Sequence, residues 1–174
     1  MNISFNWLNE FLKINLKIDE VSEILTDIGL EVEGISDYQE FEGNLKGLVV
    51  GHVIECKKHP NADRLKLTKV DVGDEILQIV CGAPNVDVDQ KVIVAQVGTI
   101  LYPLNNKKFK ITKSKIRNEI SQGMICAEDE IGVGNSHDGI IVLNNKVKKG
   151  TKVSDLYENY SDKIINIGLT PNRS

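Results

Sequence analysis

The sequence is poor in several features that would assign it to a functional class. Aromatic side chains make up 5% of its 174 residues, so stacking platforms for single-stranded nucleic acid are scarce. No apolar run approaches the roughly 20 residues of a membrane-spanning helix. The first residues lack the basic and apolar regions of a signal peptide. We therefore expect a cytoplasmic protein with no membrane partner.

Motifs that carry catalysis are also missing. The sequence contains no Walker-type Gly-rich loop, no His-Glu-x-x-His pair and no Gly-x-Ser-x-Gly elbow. Each of these motifs places a phosphate, a metal ion or a nucleophile, so none of those chemistries is indicated. We predict that the chain holds no catalytic residue.

Cysteine occurs in an odd number, at Cys56, Cys81 and Cys126, each within an apolar segment. This pattern favours reduced, buried thiols over a disulfide framework. Only Cys56 and His59 have the short spacing of a structural zinc site, which normally contains two such pairs. We therefore predict no metal site. The acidic run at residues 128–130 is interpreted as a solvated turn, with cation binding as the alternative.

Charge is unevenly distributed along the chain, whose net charge is −4. Residues 1–39 carry two basic and eight acidic side chains, whereas residues 40–150 carry sixteen basic and fourteen acidic ones. This small positive excess is modest for a nucleic-acid-binding domain. Any nucleic acid bound by residues 40–150 alone should therefore be held weakly.

Helical periodicity characterises the first 39 residues. Ser4 is predicted to cap a helix over residues 5–11, and Asp19 to cap a second helix that ends before Gly29. An alternating run at residues 30–35 predicts a strand. Helices this short are marginal in water, so we expect this α+β head to pack on a partner or on the rest of a longer protein.

Alternation with a period of two dominates the middle of the chain and predicts five strands. They cover residues 48–56, 65–72, 75–81, 91–97 and 123–127. Residues 59–65 are predicted to form a structured loop, because Pro60 fixes its own φ and Asn61 and Asp63 can accept hydrogen bonds from turn N–H groups. The alternation slips between Leu67 and Val70, which predicts a β-bulge.

Four motifs in this order resemble the tRNA-binding OB domain of aminoacyl-tRNA synthetases. They are His59-Pro60-Asn61-Ala62-Asp63-Arg64-Leu65, Val70-Asp71-Val72-Gly73, Ile79-Val80-Cys81-Gly82-Ala83-Pro84-Asn85-Val86, and Lys115-Ile116-Arg117 followed by Ser121-Gln122-Gly123-Met124-Ile125-Cys126. The Cys-Gly-Ala-Pro-Asn version after a helical head resembles the bacterial phenylalanyl-tRNA synthetase β subunit. The ending at residues 169–174 resembles the entry to that subunit's next domain.

The resemblance implies an α+β fold with three parts. Residues 1–39 would be a small helical and strand head, and residues 40–150 a five-stranded OB-fold β-barrel. Residues 151–174 would be a linker and the first strand of the next domain. The chain would then be the N-terminal fragment of the β subunit.

The resemblance also implies a function. Phenylalanine–tRNA ligase joins phenylalanine to its tRNA with ATP and magnesium, as an α2β2 assembly whose α subunit activates the amino acid. This fragment would need no cofactor itself and would be inactive alone. It would supply accessory tRNA binding and structural packing, with tRNA and the α subunit as partners. A free-standing tRNA-binding or chaperone module, and a purely structural interaction domain, remain alternatives.

A cationic run indicates where RNA would bind. Residues 107–117, here called the basic segment, contain six cations and no acid, and phosphate groups favour such a surface. By resemblance this segment lies in one of the two loops that frame an OB groove; a lysine-protected strand edge is the alternative. Lys113, Lys115 and Arg117 would share a face of a regular strand. The predicted nucleic-acid-binding residues are Lys57, Lys58, Asn61, Arg64, Lys110, Lys113, Lys115 and Arg117.

Overall fold

A computed structural model describes residues 1–104, 107–157 and 160–168. Two compact units are present, the first built from residues 1–40 with 160–168 and the second from residues 41–157. The strands are β1 (Asn2–Ser4), β2 (Glu31–Gln39), β3 (Leu48–His59), β4 (Ala62–Asp71), β5 (Ile76–Cys81), β6 (Lys91–Gln96), β7 (Ile100–Leu101), β8 (Phe109–Lys110), β9 (Ser114–Ile116), β10 (Glu119–Ser121), β11 (Gly123–Ile125), β12 (Val142–Leu143) and β13 (Ser161–Gly168). The helices are α1 (Phe5–Leu12), α2 (Ile18–Asp27) and α3 (Glu128–Ile131), with 3-10 turns at Glu42–Leu45 and Val153–Asp155. None of the helices in the described ranges is long and apolar enough to cross a membrane.

The helices of the first unit begin at caps. Ser4 caps α1 as predicted, because its hydroxyl accepts a hydrogen bond from the Trp7 N–H at 2.9 Å. The second helix begins earlier than the predicted cap at Asp19. The Glu20 carboxylate accepts a hydrogen bond from the Lys17 N–H at 2.7 Å, so the first turn is capped from within.

The sheet of the first unit is completed by a strand from the far end of the chain. β13 lies between β1 and β2 and is antiparallel to both. Its Ile165 and Ile167 are fully buried beside Val21 of α2. This differs from the expected linker and first strand of a following domain at residues 151–174, because the alternating isoleucines bury one face of β13 within this sheet. Residues 169–174, which carry the resemblance to a domain entry, lie outside the described residues.

The second unit is a nearly closed antiparallel barrel. Its strands follow the order β11-β6-β3-β4-β5, and β12 pairs with Lys91 and Val92 at the start of β6. The remaining gap is spanned near β10, where the Val80 N–H donates to the Ser121 hydroxyl at 3.1 Å and the Gln122 N–H donates to the Gln78 carbonyl at 2.8 Å. The predicted α+β class with an OB-like barrel is confirmed.

The bulge of the barrel lies in β3 rather than in β4. Val53 pairs with Val70 and Glu55 with Lys69, so Ile54 is the extra residue. The apparent slip in β4 is explained by Thr68. It is fully buried, and its hydroxyl donates to the Ile79 carbonyl at 2.8 Å, so a polar residue occupies a core position of an unbroken alternation.

Candidate nucleic-acid interface

The connection between β3 and β4, predicted as a loop over residues 59–65, is shorter in the structure because most of these residues belong to the two strands. Both strands run into it, and the turn itself consists of Pro60 and Asn61. His59 pairs with Ala62, while Lys58 pairs with Lys66, so residues 63–65 have no partner in β3. These three residues form an extended irregularity at the start of β4. We call residues 59–65 the first loop.

A second hairpin lies within the connection from β6 to β11. β9 and β10 are joined by Arg117 and Asn118, whose φ angles are 49° and 79°. Two successive positive φ angles define a type I′ turn, whose twist suits a two-residue hairpin. We call residues 114–121 the basic hairpin, because it contains Lys115 and Arg117. Its base is attached to β5, where the Gln78 side-chain amide donates to the Ile120 carbonyl at 3.0 Å.

The first loop contacts the tip of the basic hairpin directly. The His59 ring nitrogen Nε2 lies 3.2 Å from the Ile116 carbonyl oxygen. The Asn61 side-chain amide donates to the Arg117 carbonyl at 3.3 Å. Asn61 was expected to accept a bond from a turn N–H, but its side chain is a donor across the two loops. The structure thereby brings Asn61 and Arg117, both predicted site residues, into contact.

The predicted cations do not all lie at this junction, since Lys110 is in β8, which pairs with β7. All eight predicted site residues are exposed. Within the described residues, Lys57 is the one member of this set in an ion pair, and its partner is Glu55, so its charge is already partly neutralised. Lys58 lies near the end of β3, Arg64 in the first loop and Lys110 in β8.

The three cations expected on one strand face are not arranged that way. Lys113 precedes β9, Lys115 lies within it, and Arg117 occupies the turn with a positive φ. The expectation of a regular strand through these residues is wrong, because the chain reverses at Arg117. The three charges therefore lie along a hairpin and the segment that precedes it, and not on one face of a single strand.

The comparisons with known proteins agree with this geometry. Residues 48–152 match a family model described as a putative tRNA binding domain. The chain belongs to this putative tRNA binding domain family. Over 100% of its length it is 53% identical to the phenylalanine--tRNA ligase beta subunit of Bacteroides fragilis and 45% identical to that of Halalkalibacterium halodurans. The predicted resemblance is thus confirmed.

The chain spans about a fifth of the length of these relatives, covering 21% and 22% of them. Among solved structures, a MetRS related protein from Pyrococcus horikoshii aligns over 60% of this chain and 86% of its own, with a TM-score of 0.43 and 23% identity. That likeness is too distant to bear on function.

The acidic run of the tRNA binding domain was expected to be a solvated turn, but it forms the short helix α3 and its three side chains are half-buried. Glu130 accepts a hydrogen bond from the Ala127 N–H at 2.7 Å and caps α3. Burial raises the pKa of the Glu130 carboxyl. The hydrogen bond from His137 to Asp129, at 3.0 Å, raises the pKa of His137. These partners account for the run structurally, and no group of three potential metal ligands is found in the described parts of the chain.

The thiols of the domain lie in its core or beside it. Cys81 and Cys126 are buried and Cys56 is half-buried. Burial raises the pKa of all three thiols, which keeps them protonated and unreactive. The expectation of reduced core cysteines fits this arrangement.

Sequence reasoning gave no binding or positioning role to His59, which is the residue that joins the two loops. A local signal was present, because His59 ends a strand, precedes a proline and is surrounded by charged residues. The role itself depends on a contact with Ile116, 57 residues away. A contact between residues so far apart in the sequence cannot be predicted from local patterns.

Proposed function

We propose that this chain is part of the β subunit of a phenylalanine–tRNA ligase and supplies accessory tRNA contact through its barrel. The observation that carries the proposal is the junction of the first loop with the basic hairpin in a member of the putative tRNA binding domain family. In OB-folds these two connections frame the nucleic-acid groove.

The contact proposed is electrostatic. Lys110, Lys113 and Lys115 are exposed, and no described acidic residue forms an ion pair with them. Such cations neutralise phosphates and release bound counterions, which favours binding regardless of base sequence. Phe109 is 41% exposed and is the one aromatic residue of the basic segment, so recognition of folded RNA by backbone and shape fits better than base stacking.

The whole enzyme is proposed by resemblance alone. Phenylalanine would be joined to tRNA with ATP and magnesium in the cytoplasm, by an α2β2 assembly whose α subunit carries out amino-acid activation. The described side chains of this chain offer no set of ligands for magnesium, so no catalytic step is assigned to them. Because amino-acid activation is proposed for the α subunit, the chain alone should show no phenylalanine-dependent pyrophosphate exchange.

Two matched triple variants test the tRNA contact. The first replaces Lys113, Lys115 and Arg117, which lie in the basic hairpin or just before it, with Gln. The second replaces Lys146, Lys148 and Lys152 with Gln. This variant removes the same charge from an exposed region near Val50, at the opposite end of β3 from His59. Wild-type protein is expected to bind tRNA with a Kd of about 10⁻⁴ to 10⁻⁶ M. The first triple variant should weaken binding to all tRNAs alike.

The salt dependence provides the decisive readout. The slope of log affinity against log salt should become shallower by about 2 to 3 units in the first triple variant, close to one unit per lost phosphate contact. The second triple variant should change the slope by much less. Equal changes in both variants would indicate non-specific attraction. An unchanged slope in both would leave the barrel with the structural role given above as an alternative.

A further inference from the structure

One side chain of the first loop is buried although its neighbours are charged and exposed. His59 is 4% exposed, whereas Lys57, Lys58 and Arg64 are open to solvent. We propose that His59 is a positioning residue that fixes the tip of the basic hairpin against the first loop, so that the cations of both act on one RNA backbone. This inference rests on the proposed tRNA contact.

The two ring nitrogens of His59 have distinct partners, which assigns its tautomer. Nδ1 accepts a hydrogen bond from the Asn61 N–H at 3.1 Å, so it carries no proton. The proton of the neutral ring is therefore on Nε2, which donates to the Ile116 carbonyl at 3.2 Å. The neutral ring uses one donor and one acceptor, and both are satisfied. His59 thus shapes its own turn with one nitrogen and binds the hairpin with the other.

The bond from His59 is placed where the hairpin has few other attachments. The base of the hairpin is attached to β5 through Gln78 and Ser121. Its tip contacts the first loop through His59 and, at the surface, through the Asn61 amide bonded to the Arg117 carbonyl. The Asn61 bond is exposed, so water competes with it. Because His59 itself is 4% exposed, its bond is better shielded from water and is the stronger constraint.

The consequence for binding is entropic. RNA must meet Lys115 and Arg117 on the hairpin together with Lys58 and Arg64 on the other side of the junction. If the tip moved freely, ordering it would cost affinity at each binding event. Because His59 fixes the tip before RNA arrives, its loss should weaken tRNA binding without removing any cation. One lost hydrogen bond of ordinary strength corresponds to about a fivefold weakening.

The test uses the 174-residue chain and total tRNA as the probe, with four variants. His59→Ala removes both ring bonds, and His59→Gln keeps one donor and one acceptor near the same positions. Asn61→Ala removes the surface bond. His52→Ala is the matched control, since His52 lies on the same strand and is half-buried, but is located toward the other end of β3. Amide hydrogen exchange is measured in parallel with tRNA titrations.

His59→Ala should speed exchange at residues 116–119 of free protein, leave β5 and β6 protected, and weaken tRNA binding about fivefold. His59→Gln should recover part of both effects, and His52→Ala should show neither. If exchange at the tip rises while tRNA affinity is unchanged, His59 is structural only and the inference is overturned. Unchanged exchange at the tip would also overturn it.

Two further outcomes are separable. If the whole barrel of the His59→Ala variant loses protection, the inference is tested with Asn61→Ala and His59→Gln, because each of these disturbs the junction less. Faster exchange at the hairpin tip without weaker tRNA binding in both variants would refute the inference. If wild-type protein does not bind tRNA at all, the proposed function fails. The exchange data then still show whether His59 fixes the hairpin.

Discussion

The barrel and the first unit bury very different amounts of apolar surface. Among the described residues, the barrel contains core clusters of eleven and nine buried residues, whereas the cluster in the first unit contains three. The first unit also leaves Phe11 and Leu12 of α1 67% and 64% exposed. Because burial of apolar side chains is the main stabilising contribution, we expect the first unit to open at a lower free energy than the barrel.

The two regions also differ in charge. Residues 1–39 carry two basic and eight acidic side chains, whereas the basic segment has six cations and no acid. Acidic surface repels phosphate, so RNA contact is expected on the barrel alone. The larger buried core and the basic segment therefore coincide in the barrel, which suits the proposed RNA contact.

The largest effect is expected from the same truncation made in each core. Ile79 of the barrel and Ile167 of the first unit are both fully buried. Ile79→Ala should lower the free energy of unfolding of the barrel by about 2–5 kcal/mol. Ile167→Ala removes one of the three buried side chains of the smaller core, so the first unit should unfold while the barrel remains folded.

The two transitions can be followed separately. Trp7 is the single tryptophan of the sequence and lies in α1, so its fluorescence reports on the first unit. Amide exchange in β3 to β6 reports on the barrel. Coincident transitions in the Ile167→Ala variant would contradict the difference in stability between the two regions.

The next effect concerns a buried carboxylate in the first unit. Asp162 accepts hydrogen bonds from the Ser4 hydroxyl, from the Asn6 N–H at 3.0 Å and from the Tyr160 hydroxyl at 3.0 Å. Burial raises the pKa of Asp162, but these bonds outweigh burial and hold the pKa below its usual range. Asp162→Asn should therefore lower the stability of the first unit at neutral pH by about 1.5–3 kcal/mol.

The depressed pKa also gives the direction of the pH dependence. The contribution of Asp162 is fully present above its unfolded-state pKa of about 3.9 and is lost as pH falls through the lower folded-state value. When acid unfolding is monitored by Trp7 fluorescence, the Asp162→Asn variant should lack this pH-dependent contribution to the stability of the first unit. Asp37→Asn is the control, because Asp37 is an exposed carboxylate paired with Lys163 in the same sheet. A similar loss in the control would argue against a special role for Asp162.

The sequence predicted those features whose causes are local. α1 begins at its Ser4 cap, and the alternating runs of the barrel became β3 to β6 and β11, because caps and period-two patterns act within a few residues. The sheet of the first unit was not predictable in this way. Its central strand β13 follows β2 by more than a hundred residues, and alternation indicates a strand without indicating its partners.

The candidate site shows the same division. Its cations could be predicted from the sequence, because they form a run that contains no acidic residue. The junction between His59 and Ile116 is not, because it forms only when barrel closure places two distant connections side by side. The bulge predicted between Leu67 and Val70 is absent from the described strand β4 for a related reason, which is the burial of Thr68. A buried hydroxyl satisfied by the carbonyl of the neighbouring strand interrupts an apolar pattern without interrupting the fold.

A smaller effect is expected from deleting one hydroxyl in each region. Thr68→Val keeps the side-chain shape but removes the bond to the Ile79 carbonyl, and should destabilise the barrel by about 0.5–1.5 kcal/mol. Ser4→Ala removes the α1 cap and also the hydrogen bond from the Ser4 hydroxyl to Asp162, so it should destabilise the first unit by about 1–2 kcal/mol. Denaturant midpoints measured with the two probes above test both values. The effect on the first unit should be at least as large as that on the barrel, because the Ser4 hydroxyl has two partners and the Thr68 hydroxyl has one.

The smallest effect is expected at the exposed face of α1. Leu12 is 64% exposed, and glutamine has a similar helix propensity, so Leu12→Gln should change the stability of the first unit by less than about 0.5 kcal/mol. Leu8 is the matched comparison, since it is only partly exposed and packs against the core of the unit. Leu8→Gln should cost substantially more, because it places an amide against buried isoleucines without a partner.

The concentration dependence of the Leu12→Gln effect tests whether the exposed face of α1 is covered by another copy of the chain. Denaturation followed by Trp7 fluorescence should give the same small difference at micromolar and at tenfold higher protein concentration. A loss above about 1 kcal/mol that grows with concentration would mean that copies of the chain cover this face in solution, since association stabilises by mass action. The first unit would then gain from a neighbouring molecule part of the burial that the barrel achieves within itself, and the contrast between the regions would hold only for the isolated chain.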